Sequence, residues 1–313
     1  MSADAVRATV ARLRAALGAQ VELDAPLGPL TTWRVGGPAA ALVRVARVDD
    51  LATVAAALTP EIPRLVLGRG SNLLVADAGF AGVVLVLGPG FESVDVVAGP
   101  DDSGTVTAGG ATPLPVLARR LAGAGWGGLE FYVGIPGSVG GAVRMNAGGH
   151  GCETVAVVLD AGVADLAGDG RPVRWDPDRL ALGYRTSALG DDDVVVDARF
   201  TVRRTDPEVA QEELRGIVRW RTEHQPGGAN AGSVFRNPPG DAAARLIDAE
   251  CGLRGLRVGG AVVSEKHANF IQAEPGATAA DVHQLIASVR ERVEMATGVR
   301  LETEVHQIGF GAS

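Results

Sequence analysis

Gly134-Ile135-Pro136-Gly137-Ser138-Val139-Gly140-Gly141-Ala142-Val143-Arg144-Met145-Asn146-Ala147-Gly148-Gly149 decides how the rest of the chain is read. Its six glycines and two small polar side chains suit sharp turns, close backbone packing and successive amides aimed at an anion. Tight structural packing is the competing reading. The phosphate loop Gly-x-x-x-x-Gly-Lys-Ser/Thr is absent. Two further segments share this character, Gly68-Arg69-Gly70-Ser71-Asn72 and Asn230-Ala231-Gly232-Ser233-Val234-Phe235. The first joins two apolar runs with no long helix after it, so it lacks the helix-opening fingerprint of doubly wound dinucleotide sites. A diphosphate nest and a plain hairpin turn both fit it. The other holds Ser233 outside any Gly-x-Ser-x-Gly elbow, and His224 supplies no geometry for a nucleophile, so giving a proton is the better-fitting chemistry. A large anionic cofactor is the leading expectation.

The chain has 313 residues, enough for two or three domains around separate cores. Glycine makes up 43 of them, about 14% against a usual share of roughly 7%. The net charge of -8 is spread without a basic stripe, which argues against a nucleic-acid partner, and Asp191-Asp192-Asp193 reads as a solvated turn. Cys152 and Cys251 are far apart and read as buried free thiols in a reducing compartment. The five histidines, His150, His224, His267, His283 and His306, have no ligand-like spacing, so no metal is expected. No stretch has the apolar run of a signal peptide or membrane span, and a soluble, cytoplasmic chain is expected.

Periodicity predicts helices over residues 6–17, 49–58, 113–122, 206–224, 242–249 and 280–297. The last carries an apolar face of Val282, Leu285, Ile286, Val289, Val293 and Met295, read as ordinary core. Strands are expected over 40–45, 64–67, 83–87, 94–98, 105–108, 155–160, 194–200, 258–263 and 270–271. The pattern is α+β. It divides into a lead-in helix (1–29), a first subdomain (30–95), a second (96–205) and a C-terminal domain (206–313).

Among charged side chains, Arg185 in Gly183-Tyr184-Arg185-Thr186-Ser187 could clamp a carboxylate bidentately or be an ordinary surface arginine. Glu302 and Glu304 share one side of an alternating segment. Glu304 is functional only if that side faces a cleft. His267 and Asn269 lead into the strand at Phe270 without a decisive spacing.

Taken in order, Thr32-Trp33-Arg34-Val35-Gly36-Gly37-Pro38, the segments at 68–72 and 134–148, Tyr184-Arg185-Thr186-Ser187, Ala231-Gly232-Ser233-Val234-Phe235-Arg236-Asn237-Pro238, His267-Ala268-Asn269-Phe270 and Leu301-Glu302-Thr303-Glu304-Val305 closely resemble the UDP-N-acetylenolpyruvoylglucosamine reductase (MurB) family. The resemblance runs from about residue 28 to 310 and looks like the shorter second class. It implies an FAD-binding fold of the vanillyl-alcohol-oxidase type with two subdomains, followed by a C-terminal α+β substrate-binding domain. It also implies reduction of UDP-N-acetylglucosamine enolpyruvate to UDP-N-acetylmuramate by a monomer that uses NADPH as hydride donor. FAD would be held by Gly68, Arg69, Gly70, Ser71, Asn72, Gly134, Ile135, Pro136, Gly137, Ser138, Gly140 and Gly141, with amides meeting its pyrophosphate. Ser233 would protonate C2 while Arg185 and a protonated or proton-sharing Glu304 stabilise the enolate. His224, Asn237, His267 and Asn269 are implied substrate contacts. Family members often carry lysine where this chain has His224, whose ordinary pKa of about 6.5 gives less constant charge. The alternatives are another noncovalent FAD oxidoreductase of the same fold, or a non-catalytic flavin- or sugar-nucleotide-binding protein.

Overall fold

The computed structural model describes residues 3–311. The chain forms two compact units that interleave in sequence. The first takes in residues up to Leu23, Ala41–Arg69 and Gly82–Trp220, and the second Asp24–Ala40, Gly70–Ala81 and the chain from Arg221 on. Sheets and helices are mixed throughout, as expected of an α+β chain. No helix among the described residues is long and apolar enough to cross a membrane.

A four-stranded sheet, whose residues fall mostly in the first unit, has the order Val21–Pro26, Pro38–Val45, Phe80–Leu87, Arg64–Val66, and the last two strands run parallel. A larger antiparallel sheet is built on the long Asp193–Arg204 strand, flanked by Val158–Asp165 and Ser103–Gly109. Alternation along Asp193–Arg204 sends Val194, Val196, Ala198, Phe200 and Val202 into buried positions. The Leu114–Gly123 helix, with Pro113 as its N-cap, lays Leu114, Leu117, Ala118 and Leu121 into the same core.

The second unit is organised by the Ala279–Thr297 helix, whose Val282, Leu285, Ile286, Val289 and Val293 are buried as the periodicity predicts. Met295 is a correction: it is 76% exposed and belongs to the solvent face. The helix start is closed by a capping box between Thr278 and Asp281. Asp77 adds both carboxylate oxygens, which accept the N–H groups of Ala279 and Ala280 at 2.9 Å each. Residues 202 and 203 apart in sequence are thereby tied together. Beside this helix, Trp33 is buried and donates its indole N–H to the Ile271 carbonyl at 2.9 Å.

Several sequence expectations change in detail. The strand expected over 258–263 is a hairpin of Arg257–Val258 and Ala261–Val263, because Gly259 takes a φ of +52° and turns the chain. The helix expected over 242–249 is a short Ala243–Arg245 turn that widens into a π-helical Leu246–Glu250. The strand expected from residue 155 begins at Val158, after a 3-10 turn over Thr154–Ala156. Residues 301–305 lie outside regular strand, which begins at His306. Cys152 and Cys251 are half-buried rather than buried. Asp191–Asp193 is not simply solvated: Asp191 pairs with Arg144, Asp192 with Arg64, and Asp193 accepts the Gly190 N–H.

Replacing Asp77 by alanine removes two charge-assisted caps from the largest helix of the second unit. The expected cost is about 1–2 kcal/mol. A urea titration of Asp77→Ala should show a lowered midpoint with an unchanged slope.

Candidate functional site

The Gly-rich segment lies in the first unit. A 3-10 turn over Glu130–Gly134 leads to Ser138, the N-cap of the short Val139–Arg144 helix. Several amides proposed as anion donors are already used. Ile135 donates to Tyr132, Val139 to Thr112 and Gly140 to Gly110, while the Gly141 N–H reaches the Ser138 hydroxyl at 3.5 Å. The segment therefore offers chiefly a smooth, side-chain-poor surface, with Gly137 and Ser138 remaining as candidate donors. A Cβ at Gly68 would sit 2.8 Å from Ser138 Oγ, so glycine there lets the two segments approach closely. That cradle fits a flat, extended cofactor laid against backbone.

The turn at residues 68–72 is not a hairpin. Arg64–Val66 pairs with Phe80–Leu87, while Leu73–Val75 pairs in parallel with His306–Ile308. Gly70 has a φ of +60°, and a Cβ there would fall 2.1 Å from the Leu30 carbonyl oxygen, so packing alone demands glycine. Asn72 has a second task. Its amide donates to the Glu304 carbonyl at 3.1 Å, and its own carbonyl accepts the His306 N–H at 3.1 Å.

The segments that carry Ser233 and Glu304 pair in the second unit. Phe235 bridges Thr303 in antiparallel register, and the Glu304 N–H donates to the Val234 carbonyl at 2.8 Å. Glu304 is thus held at its N–H beside Ser233 and at its C=O by Asn72, with its side chain half-buried. On the other edge of residues 233–235 lies Asn269, which is 4% exposed. Its side chain accepts the Phe235 N–H at 2.9 Å and donates to the Phe235 carbonyl at 2.8 Å. Its backbone carbonyl takes the Val234 N–H at 2.9 Å. Asn269 therefore fixes the backbone next to Ser233. The loop before Ser233 wraps around Asn230, whose amide donates to the carbonyls of Gly227 and Gly228 and whose Oδ1 accepts the Gly232 N–H.

The remaining implied substrate contacts have local roles. Asn237 Oδ1 accepts the Ala243 N–H at 3.0 Å. His267 Nδ1 accepts the Asn269 N–H at 3.3 Å, and its ring meets Phe270 edge-on at 4.6 Å. Burial first, then the nearby Arg254 charge, lowers the His267 pKa from its ordinary value. His224 is the exposed last residue of the Pro207–His224 helix.

Arg185 lies in the first unit, on a tight turn closed by reciprocal bonds between Gly183 and Thr186 at 3.1 Å. Its φ is +56°, a left-handed conformation that costs a non-glycine residue about 1–2 kcal/mol. Strain of this kind persists where surroundings over-determine it. Ser187 helps, donating its hydroxyl to the Arg144 carbonyl at 2.6 Å. The guanidinium reaches the carbonyls of Asn146 and Gly148 and the carboxylate of Glu153, at 3.4, 3.2 and 3.4 Å. Sequence reasoning missed Asn146 and Glu153 as site residues. Asn146 was visible only as part of the glycine-rich run, and nothing in the local spacing marks Glu153.

A neutral His267 has a sign-definite consequence. Because its folded pKa is lowered, its contribution to stability is present above the ordinary value near 6.5 and is lost as pH falls through the lowered folded value. His267→Gln should therefore flatten the decline of the urea midpoint below pH 6.5, measured from pH 7.5 down to 5.

Residues 39–175 match the family model described as an FAD binding domain. Residues 224–308 match the model for the C-terminal domain of UDP-N-acetylenolpyruvoylglucosamine reductase. The UDP-N-acetylenolpyruvoylglucosamine reductase of Acidiphilium cryptum is 45% identical over 306 residues, covering 97% of this chain and 95% of that protein. That of Syntrophotalea carbinolica is 44% identical, covering 96% of this chain and 98% of that protein. The crystal structure of the Thermus caldophilus enzyme superposes with a TM-score of 0.78 at 37% identity, over 92% of this chain and 98% of that one. The chain belongs to the UDP-N-acetylenolpyruvoylglucosamine reductase family.

Proposed function

We propose that this chain reduces UDP-N-acetylglucosamine enolpyruvate to UDP-N-acetylmuramate for peptidoglycan synthesis, at the expense of NADPH, as a monomeric cytoplasmic enzyme. The observation that carries the reading is the pinning of Glu304 at both its N–H and its C=O beside the Ser233 segment. Two proton-carrying side chains held on adjoining backbone suit a reaction that must deliver a proton to a defined carbon.

When bound, FAD supplies the hydride carrier between NADPH and C3 of the enolpyruvyl group. The cradle at Gly68, Gly137 and Ser138 would hold it. Addition at C3 leaves an electron pair shared between C2 and the attached carboxylate. Arg185 is the cation suited to that carboxylate, because a planar guanidinium can present two parallel N–H groups to it. Glu304, carrying a proton, donates a hydrogen bond to the gathering negative charge. The Ser233 hydroxyl gives its proton to C2 and completes the saturated product. A neutral serine is a weak acid, but its partner is strongly basic.

Asn72 and Asn269 do not touch the reacting atoms in this scheme. They hold the backbones on which Glu304 and Ser233 stand. Gly137 and Ser138 serve the cofactor, so their loss would appear as loss of flavin rather than loss of chemistry.

Ser233→Ala separates the steps. The variant should remain yellow and be bleached by NADPH at a rate within about twofold of the parent, since a serine hydroxyl is not needed there. Its subsequent reoxidation by the enolpyruvyl substrate should slow by about 10²–10⁴-fold, the usual weight of a positioned general acid. Turnover of Ser233→Ala at the parental rate would remove Ser233 from the mechanism.

A further inference from the structure

Arg185 is strained in its backbone, yet its tip is held by Glu153 and by the carbonyls of Asn146 and Gly148, and its root by the Asn146 side chain. At the tip, Glu153 Oε1 and the Asn146 carbonyl both lie 3.4 Å from Nη1, and the Gly148 carbonyl lies 3.2 Å from Nη2. At the root, the Asn146 side-chain amide donates to the Gly183 carbonyl at 2.9 Å, and Gly183 opens the turn that carries Arg185. That amide also donates to Glu153 Oε2 at 3.1 Å, while Asn146 Oδ1 accepts the Val155 N–H at 2.9 Å. Asn146 is 1% exposed and has a φ of +41°. A buried asparagine in a left-handed conformation, with both ends of its amide engaged, is a fixed reference point.

The hairpin that delivers Glu153 is equally constrained. Glu153 faces Gly148 across the Gly148–Gly149 and Cys152–Glu153 pair. A Cβ at residue 148 would fall 2.5 Å from Glu153 Cγ, so glycine there lets the Glu153 stem cross the hairpin. The same Gly148 offers its carbonyl to Arg185.

We propose that Glu153 and Asn146 are positioning residues for Arg185, setting the plane of its guanidinium for a substrate carboxylate; this rests on the reading of Arg185 given above. The lengths of the contacts support orientation over capture. Charge-assisted pairs that bind tightly close to about 2.7–2.9 Å, and a Glu153 at that distance would compete with an incoming carboxylate. At 3.4 Å it orients the fork. Glu153 is charged, unlike the carbonyls of Asn146 and Gly148, so it keeps the guanidinium from turning towards solvent.

The test measures the two half-reactions by stopped flow in Glu153→Ala, Glu153→Gln, Arg185→Ala and the Glu153→Ala/Arg185→Ala double variant, all loaded with FAD. Glu153→Ala should slow reoxidation by the enolpyruvyl substrate about 10- to 100-fold, the usual weight of a residue that orients a working group. Flavin reduction by NADPH should stay within about twofold. Glu153→Gln keeps an acceptor at the same place and should fall between Glu153→Ala and the parent; being isosteric, it carries the test if Glu153→Ala fails to load FAD. In the Arg185→Ala background, adding Glu153→Ala should cost less than about twofold, because a residue acting through Arg185 has nothing left to position. An undiminished Glu153→Ala penalty in that background, a parallel loss in the NADPH step, or a Glu153→Gln protein slower than Glu153→Ala would each overturn the proposal. Parental rates in Arg185→Ala alone would instead strike the role of Arg185 itself, a separate result that takes this proposal with it.

Discussion

Parallel pairing of Leu73–Val75 with His306–Ile308 is the constraint on which the second unit depends. Parallel strands need a long crossover, and here residues 76–305 serve as one. The pairing is reinforced at each end. Asn72 bonds the Glu304 carbonyl and the His306 N–H, and Asp77 caps the Ala279–Thr297 helix. Trp33 fastens the other early segment through the Ile271 carbonyl. Closing loops of this length is entropically costly, and several separate bonds hold them. Glu304 inherits its place from that closure, since its carbonyl is bound by the residue that begins the pairing.

A different principle operates around Arg185. There the backbone is strained, and short polar residues hold it in place. Asn146, Glu153 and Ser187 each spend hydrogen-bonding capacity on the turn or on the guanidinium. The glycine-rich segment is part of the same construction. Several of its amides are spent inside the protein, so its small residues act by admitting close approach, with few donors left over. This changes the account of the glycines from a charged nest to a bare wall, with Gly68 packed onto Ser138 as its clearest sign.

Long amphipathic helices were legible in the sequence because their period is local: Ala279–Thr297 and Leu114–Gly123 bury the faces that their spacing predicts. Residue chemistry suggested proton donation by Ser233 and carboxylate binding by Arg185, but their joint roles, with Glu304, came from the resemblance. What sequence did not reveal was anything that depends on distant closure. A hairpin was one of two readings of the turn after Leu67, because the two apolar runs are adjacent, yet they pair with different strands. Asn72, Asn269 and His267 looked like ligand contacts, while the structure also gives each a backbone partner that no spacing could announce. Glu153 was missed because its meaning lies in residues 146 and 185, reached only through a folded hairpin. Met295 was misplaced for the opposite reason: the apolar stripe is real, but its last member turns off the buried face.

The most direct measurement is an anaerobic double-mixing experiment on the purified protein, NADPH first and UDP-N-acetylglucosamine enolpyruvate second, with the product identified by mass. The account predicts a noncovalently bound FAD that is bleached by NADPH and regains its oxidised spectrum only on the second mixing, with one UDP-N-acetylmuramate formed per flavin. Bleaching with no substrate-driven recovery, or a protein that takes up no FAD, would contradict it.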